Sequence, residues 1–341
     1  MRRIAAAALV VLATLGAWRF WPAEALPARF AADDCHRVAL VDARTGREIV
    51  GVEDIALADG RLWLSAYDRL AAEGGGNGAG GIYAVAPAAL AHGARLRLES
   101  RTAPGRHPHG IAAAPGRLAV INRQHRAGRH TGTALRLYGR DGGRLSPAEV
   151  LRDARLCAAN DVAFEGGVIW VTLDRGACPG LSARDALWPA RRGRLLRVST
   201  GREIEIAAAE LTFPNGVAPG WGGTWLAVAE TRARRIALDP LGQTRRIAVP
   251  GAPDNLSAGP AGGLVAALHP DLLRLAAYRH GWTSRAPSRV VRIGLEGGIA
   301  VLFDDPDGSV WPGATVAVPV GRGLVLGSVR APGVLVCGEI A

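Results

Sequence analysis

Apolar residues in this sequence fall in short runs bounded by Gly and Pro, and six of those runs open on the same kind of polar signature. The six are Val52-Glu53-Asp54-Ile55, Pro108-His109-Gly110-Ile111, Ala159-Asn160-Asp161-Val162, Pro214-Asn215-Gly216-Val217, Pro253-Asp254-Asn255-Leu256 and Gly313-Ala314-Thr315-Val316. A few residues after each comes a Gly turn and a second apolar run, as in Gly60-Arg61-Leu62-Trp63-Leu64 and Gly116-Arg117-Leu118-Ala119-Val120. The turn glycines stand at 60, 116, 166, 222, 262 and 323, at intervals of 56, 50, 56, 40 and 61. Repeats of roughly 40–50 residues with several short strands per unit mark the blades of a β-propeller. Helical repeats of that length would space their apolar residues at 3.6, whereas short apolar runs between Gly and Pro read as buried strands. The pattern predicts an all-β, six-bladed propeller of four-stranded blades, one domain over residues 26–341.

Composition changes the picture little. Apolar residues make up 49% of the chain and the 45 glycines suit many tight turns, so a packed core is expected and disorder is not. The net charge of +11 comes from 41 basic residues, all of them Arg. They are scattered singly, whereas nucleic-acid proteins gather basic residues on one face or helix, so no nucleic-acid partner is expected.

The N-terminus stands apart. Arg2 and Arg3 precede an apolar run over residues 4–18, and Ala23-Glu24-Ala25 offers a small-residue cleavage pattern. The run is short for a membrane span, yet Trp18, Phe20 and Trp21 form an interfacial aromatic belt. Residues 1–25 therefore read as either a cleaved signal peptide or a retained membrane anchor. Either sends the body of the protein out of the cytoplasm, to a periplasmic or extracellular location.

Four cysteines fit an oxidising compartment. In a closed ring the two ends of the chain must meet, so a Cys35–Cys337 bridge is expected to staple the last blade to the first. Cys157 and Cys178 either pair across one blade or remain two buried thiols.

The polar residues of the signatures carry the candidate chemistry. The first strand of each blade lines the central channel, and side chains alternate along it. Glu53, Asn160, Asn215, Asp254 and Asn255 can thus converge on the axis from four blades. Two carboxylates and three amide carbonyls make an all-oxygen set suited to Ca²⁺, where zinc would prefer His or Cys. Asp54 and Asp161 follow Glu53 and Asn160 directly and turn the other way, toward a second ion deeper in the channel.

Together, Gly51-Val-Glu-Asp-Ile55, His107-Pro-His-Gly-Ile111, Ala159-Asn-Asp-Val162, Phe213-Pro-Asn-Gly-Val217, Asp254-Asn-Leu-Ser257, Leu268-His-Pro270 and the tail Leu335-Val-Cys-Gly-Glu339 resemble the serum paraoxonase/arylesterase family. The resemblance runs in order from about residue 35 to the end. It implies a six-bladed propeller with two axial calcium ions, one catalytic and one structural, acting on esters and lactones. It makes Glu53, Asn160, Asn215, Asp254 and Asn255 the ligands of the catalytic ion, and Asp54, Asp161 and the carbonyl of Ile111 those of the structural one. It makes His109 the residue that activates water and His269 a second active-site histidine. Asp174 becomes the acid supporting the family's second dyad histidine.

One position departs from that pattern. The second dyad histidine should follow Asn122, where this chain has Arg123, with His125 two places on. Arg123 is expected to pair with Asp174. The loops 175–193 and 271–289 also differ, and substrate choice resides in such loops. No Gly-x-Ser-x-Gly nucleophile motif is present, so the expected reaction is direct attack of water on a small ester or lactone at calcium, with His109 as base. Two alternatives stay open: a non-catalytic, calcium-stabilised binding propeller, and a gluconolactonase-like sugar-lactone hydrolase. The latter group lacks the paired terminal cysteines and the second acidic set.

Overall fold

The computed structural model describes residues 23–76, 78, 80–93, 95–102, 107–175, 191–220 and 226–340. Its strands form six antiparallel blades around one axis. Blade 1 is Val52–Ala58, Arg61–Tyr67 and Gly80–Val85, with Leu96–Leu98 against its outer side. That last strand pairs in parallel with Leu40–Asp42, and the segment after it is tied to the third strand by the Arg101 N–H donating to Ile82 O at 2.7 Å. Blade 2 is His107–Ala114, Arg117–Arg126 and Arg129–Asp141, with Arg144–Leu145 and Glu149–Leu151 both on the third strand. Blade 3 runs Ala159–Glu165, Val168–Leu173, Gly193–Val198, Ile204–Leu211, and blade 4 runs Pro214–Pro219, Leu226–Glu230, Arg235–Leu238, Arg245–Ala248. Blade 5 is Ala252–Ala258, Leu264–His269, Ser288–Ile293 and Ile299–Asp305; blade 6 is Ala314–Val320, Gly323–Ser328, Val334–Cys337 and the N-terminal strand Cys35–Val38.

The inner strands touch in sequence, 1 to 2 and onward to 6, and blade 6 touches blade 1 again, so the ring is closed. Apolar packing follows the same geometry, with one hydrophobic cluster at each blade–blade junction. Trp63 and Ile82 of blade 1, for example, pack on Ile111 and Leu118 of blade 2. Burial of that kind is what alternate apolar positions on both faces of a strand supply, and it leaves the channel to polar residues.

Closure differs in one respect from expectation. Cys35 and Cys337 are bonded and directly opposed in register, but the bridge lies inside blade 6. The chain's first strand is that blade's outermost strand, so closure is by strand exchange between the termini as well as by the covalent bond. Residues before it run along blade 5: Phe30 N–H donates to Leu302 O and Leu26 N–H to Asp304 Oδ2. Residues 1–22 lie outside the described residues, and no helix among the described ones is long and apolar enough to cross a membrane. Cys157 is disulfide-bonded, while Cys178, expected either to be its partner or to be a thiol, lies outside the described residues. The turn glycines 60, 116, 166 and 262 all have positive φ; in blade 6 that part is taken by Gly321 rather than Gly323, and Gly222 lies outside the described residues.

Candidate functional site on the propeller axis

Every inner strand is irregular at its polar signature. The register with the second strand shifts between Val52 and Asp54, Pro108 and Ile111, Ala159 and Val162, Pro214 and Val217, Pro253 and Leu256, and Ala314 and Val316. A bulge re-aims side chains that strict alternation would send to opposite faces, which is how neighbours such as Asp254 and Asn255 can both serve the axis. Two signature glycines allow close approach of blades. A Cβ on Gly110 would sit 2.6 Å from Asp161 Cα, and one on Gly216 would sit 2.5 Å from Asp254 O and 2.7 Å from Asn255 Cα.

The predicted ligands lie buried on the inner strands of blades 1, 3, 4 and 5. Glu53, Asp54, Asn160, Asp161, Asn215, Asp254 and Asn255 are all at most 8% exposed. Asn255 Nδ2 reaches from blade 5 to blade 1 and donates to Glu53 O at 2.9 Å. The Asn215 carbonyl accepts from Thr172 Oγ1, while its side-chain Oδ1 is buried with no partner. Asp54 accepts the N–H groups of Ile55 and Ile111, both at 2.8 Å, and Asp161 accepts those of Val162 and Val217 at 2.7 and 2.8 Å. The two acids are thus counterparts, one tying blade 1 to blade 2, the other blade 3 to blade 4. The Ile111 amide meets Asp54, a contact separate from the part expected of its carbonyl as a ligand of the structural ion. Burial and then the charge of Asp161 push the Asp54 carboxyl well above the usual range. Burial raises Asp161 to about 7, against the pull of the Val217 and Val162 amides and of Asp54 itself.

Around these groups stand the histidines. His109 is buried; its Nδ1 is 3.3 Å from Glu53 Oε1, and its Nε2 has no hydrogen-bond partner. Burial, with the charges of Arg123, Arg69, Arg279 and His130, holds its pKa well below the ordinary value, so the ring is neutral. A neutral imidazole carries one proton: on Nδ1 it would face Glu53 and leave the Nε2 lone pair free, whereas the Arg69 guanidinium 3.4 Å from Nδ1, which can only donate, calls for the lone pair on Nδ1. His269 Nε2 meets Asp254 Oδ2 at 2.7 Å. Asp174 is held by Arg175 through Nε at 2.6 Å and Nη2 at 3.1 Å. Its expected partner Arg123 is 3.9 Å away, so the expected ion pair forms at longer range than the neighbouring one. His125 turns elsewhere, its Nδ1 3.2 Å from His107 Nδ1.

One residue was not anticipated. Arg69, 2% exposed, places Nη2 2.9 Å from Glu53 Oε2 and 3.4 Å from His109 Nδ1. Asp68 caps the short helix Arg69–Glu73 by accepting from Ala71 N–H, which turns Arg69 into the channel. Nothing but the Asp68 cap signal marks this stretch in the sequence.

The donor chemistry fits an oxygen-liganded cation. Glu53, Asp54, Asp161 and Asp254 are four buried carboxylates, and among the described residues one guanidinium, Arg69, contacts them. Burial without a counter-charge is what raises Asp54 and Asp161, a condition a cation on the axis would relieve, and the unpartnered Asn215 Oδ1 offers it a further oxygen lone pair. No group of three or more His, Cys, Asp or Glu among the described residues is arranged to hold a metal.

No family model and no curated protein matches this sequence. Among solved structures the chain is similar to a luciferin-regenerating enzyme (TM-score 0.56, 13% identity, 90% of this chain and 95% of that one). It is also similar to a gluconolactonase from Xanthomonas campestris (TM-score 0.54, 16% identity, 93% and 96%). A third is the calcium-binding protein regucalcin from Agrobacterium tumefaciens (TM-score 0.51, 13% identity, 89% and 95%). At these identities the likeness is one of fold.

Proposed function

We propose that the chain is an exported calcium-dependent hydrolase of lactones and carboxylic esters, as its resemblance to the paraoxonase/arylesterase family implies. The observation that carries this reading is the buried axial set of four carboxylates and three Asn side chains beside a neutral His109 with a free Nε2. Glu53, Asn160, Asn215, Asp254 and Asn255 would hold a catalytic calcium, and Asp54 and Asp161 a structural one. Calcium in the first position supplies Lewis-acid polarisation of the substrate carbonyl and charge for the oxyanion.

The protein's own groups do the proton work. Once Arg69 no longer approaches Nδ1, Glu53 accepts from His109 Nδ1–H and fixes the tautomer, so Nε2 takes a proton as water attacks the carbonyl carbon. When the carbon–oxygen bond of the leaving alkoxide breaks, the same nitrogen returns that proton to the leaving oxygen. Low pKa keeps His109 in its basic form at neutral pH. His269 and Asp174 act as positioning residues, the first on Asp254, the second on Arg123 and Arg175. The Cys35–Cys337 bridge supports an oxidising location.

A sugar-lactone hydrolase is the second reading, favoured by the gluconolactonase among the structural relatives. A panel of phenyl acetate, γ- and δ-lactones and glucono-lactone, run with calcium and with chelator, tests both. Turnover of simple lactones or phenyl acetate that chelation abolishes is expected. Turnover of glucono-lactone alone would select the second reading, and no turnover of any of them with calcium present would refute both.

A further inference from the structure

We infer that Arg69 is a tethered cation of the axial site, which occupies Glu53 when that position is free of metal and leaves it when calcium enters. The inference rests on the calcium reading above and adds an exchange that the ligand set alone does not contain.

Both oxygens of Glu53 have a neighbour: Oε2 lies 2.9 Å from Arg69 Nη2, an ion pair without hydrogen-bond geometry, and Oε1 lies 3.3 Å from His109 Nδ1. Glu53 is also the carboxylate of blade 1 in the expected ligand set. A guanidinium and a divalent ion on the same buried carboxylate would repel across a few ångströms of low-dielectric interior, so one must displace the other.

The grip of Arg69 is of the kind that can be released. Its contact with Glu53 passes through the single atom Nη2, its Nε is buried without a partner, and its guanidinium otherwise lies 5.0 Å from the Tyr67 ring centroid. Elsewhere in this molecule arginines locked for structure bind in a fork: Arg175 holds Asp174 through Nε and Nη2, and Arg235 holds Glu230 the same way. Bidentate pairing is the strong, geometrically fixed form; Arg69 does not use it. The side chain leaves from the first residue of the five-residue helix Arg69–Glu73, whose next residue, Leu70, is 37% exposed. Leu70 thus faces solvent, while Arg69 and Ala72 of the same helix are buried.

The consequence is a set point. Calcium must displace a charged partner from Glu53, so its affinity is lowered, and the metal-free protein is spared an unpaired buried carboxylate. The test titrates chelator-treated wild type and Arg69→Gln with calcium, by calorimetry and by thermal midpoint. Arg69→Gln should tighten one calcium site at least tenfold, about 1.4 kcal/mol, and leave the other, at Asp54 and Asp161, unchanged. Metal-free Arg69→Gln should melt below wild type, and calcium should close that gap. Equal or weaker affinity, with the same melting deficit in both forms, would make Arg69 a structural residue and overturn the inference alone. Failure of both proteins to bind calcium would overturn it together with the calcium reading. Should Arg69→Gln not fold, Arg69→Lys, which keeps a charge but not the planar head, is expected to bind calcium more tightly than wild type, and weaker or equal binding contradicts the exchange.

Discussion

Replacing Gly216 by Ala probes how the axis is built. An added Cβ would lie 2.5 Å from Asp254 O, 2.6 Å from Leu256 N and 2.7 Å from Asn255 Cα. All three are backbone atoms of the neighbouring blade, so no side chain can swing aside; the inner strand of blade 5 must move by about 0.7–0.9 Å to reach ordinary contact distances near 3.4 Å. Overpacking of this kind costs about 1–3 kcal/mol. The φ of Gly216 is not in the left-handed region, so Ala is tolerated by its backbone and regains about 0.4–1 kcal/mol from the unfolded state. The net expectation is a loss of about 1 kcal/mol. Because Asn215 and the pair Asp254 and Asn255 flank the contact, calcium affinity should fall at least tenfold as well. Gly298→Ala is the control: nothing lies within 4 Å of its Cβ and its φ is also ordinary, so stability should hold or rise slightly. Denaturant unfolding with and without calcium, followed by calcium titration, reads both quantities. If Gly216→Ala matched Gly298→Ala in stability and bound calcium like wild type, the close approach of blades 4 and 5 would be refuted.

Loss of the terminal bridge by Cys35→Ser removes a crosslink spanning 302 residues and should cost up to about 5 kcal/mol, seen as a lower unfolding midpoint under non-reducing conditions, where the Cys157 bond stays closed. Acid should weaken the fold through the histidine cluster. Burial, with His107, His130, Arg123 and Arg69 nearby, lowers His125 from 6.5 to about 4, so the unfolded chain binds more protons in that interval and stability falls as pH drops from 6.5 toward 4. His125→Asn should flatten that slope in a pH series of denaturation curves, and an unchanged slope would count against it. Asn215→Ala and Asp254→Ala should cut lactone turnover at least a hundredfold with modest loss of stability, whereas Asp161→Ala should chiefly lower the calcium-bound unfolding midpoint; the reverse pattern would exchange the roles of the two sites.

Much of this was legible because the repeat states it six times. Gly60, Gly116, Gly166 and Gly262 need positive φ, and the chain announces each by the residue type. The polar residues opening each inner strand sit where a propeller turns its channel, so Glu53, Asn160, Asn215, Asp254 and Asn255 could be grouped without coordinates. Three things escaped for physical reasons. The bulges depend on register between strands, which alternation along one strand does not encode. The role of Cys35–Val38 as an outer strand depends on contacts some 300 residues apart. Arg69 reaches Glu53 through the geometry of one short capped helix, and an isolated arginine in a chain holding 41 basic residues carries no signal of its own. The pairing of Asp174 shows the same limit: Arg123 stands near it as expected, but the adjacent Arg175 holds it more closely.

The central claim is that cations belong on the axis, and anomalous scattering from crystals grown with calcium tests it most directly. Two peaks are predicted, one among Glu53, Asn160, Asn215, Asp254 and Asn255 with Arg69 withdrawn from Glu53, the other at Asp54 and Asp161. An axis without any such peak, in protein that hydrolyses lactones in the same calcium-containing solution, would contradict the account.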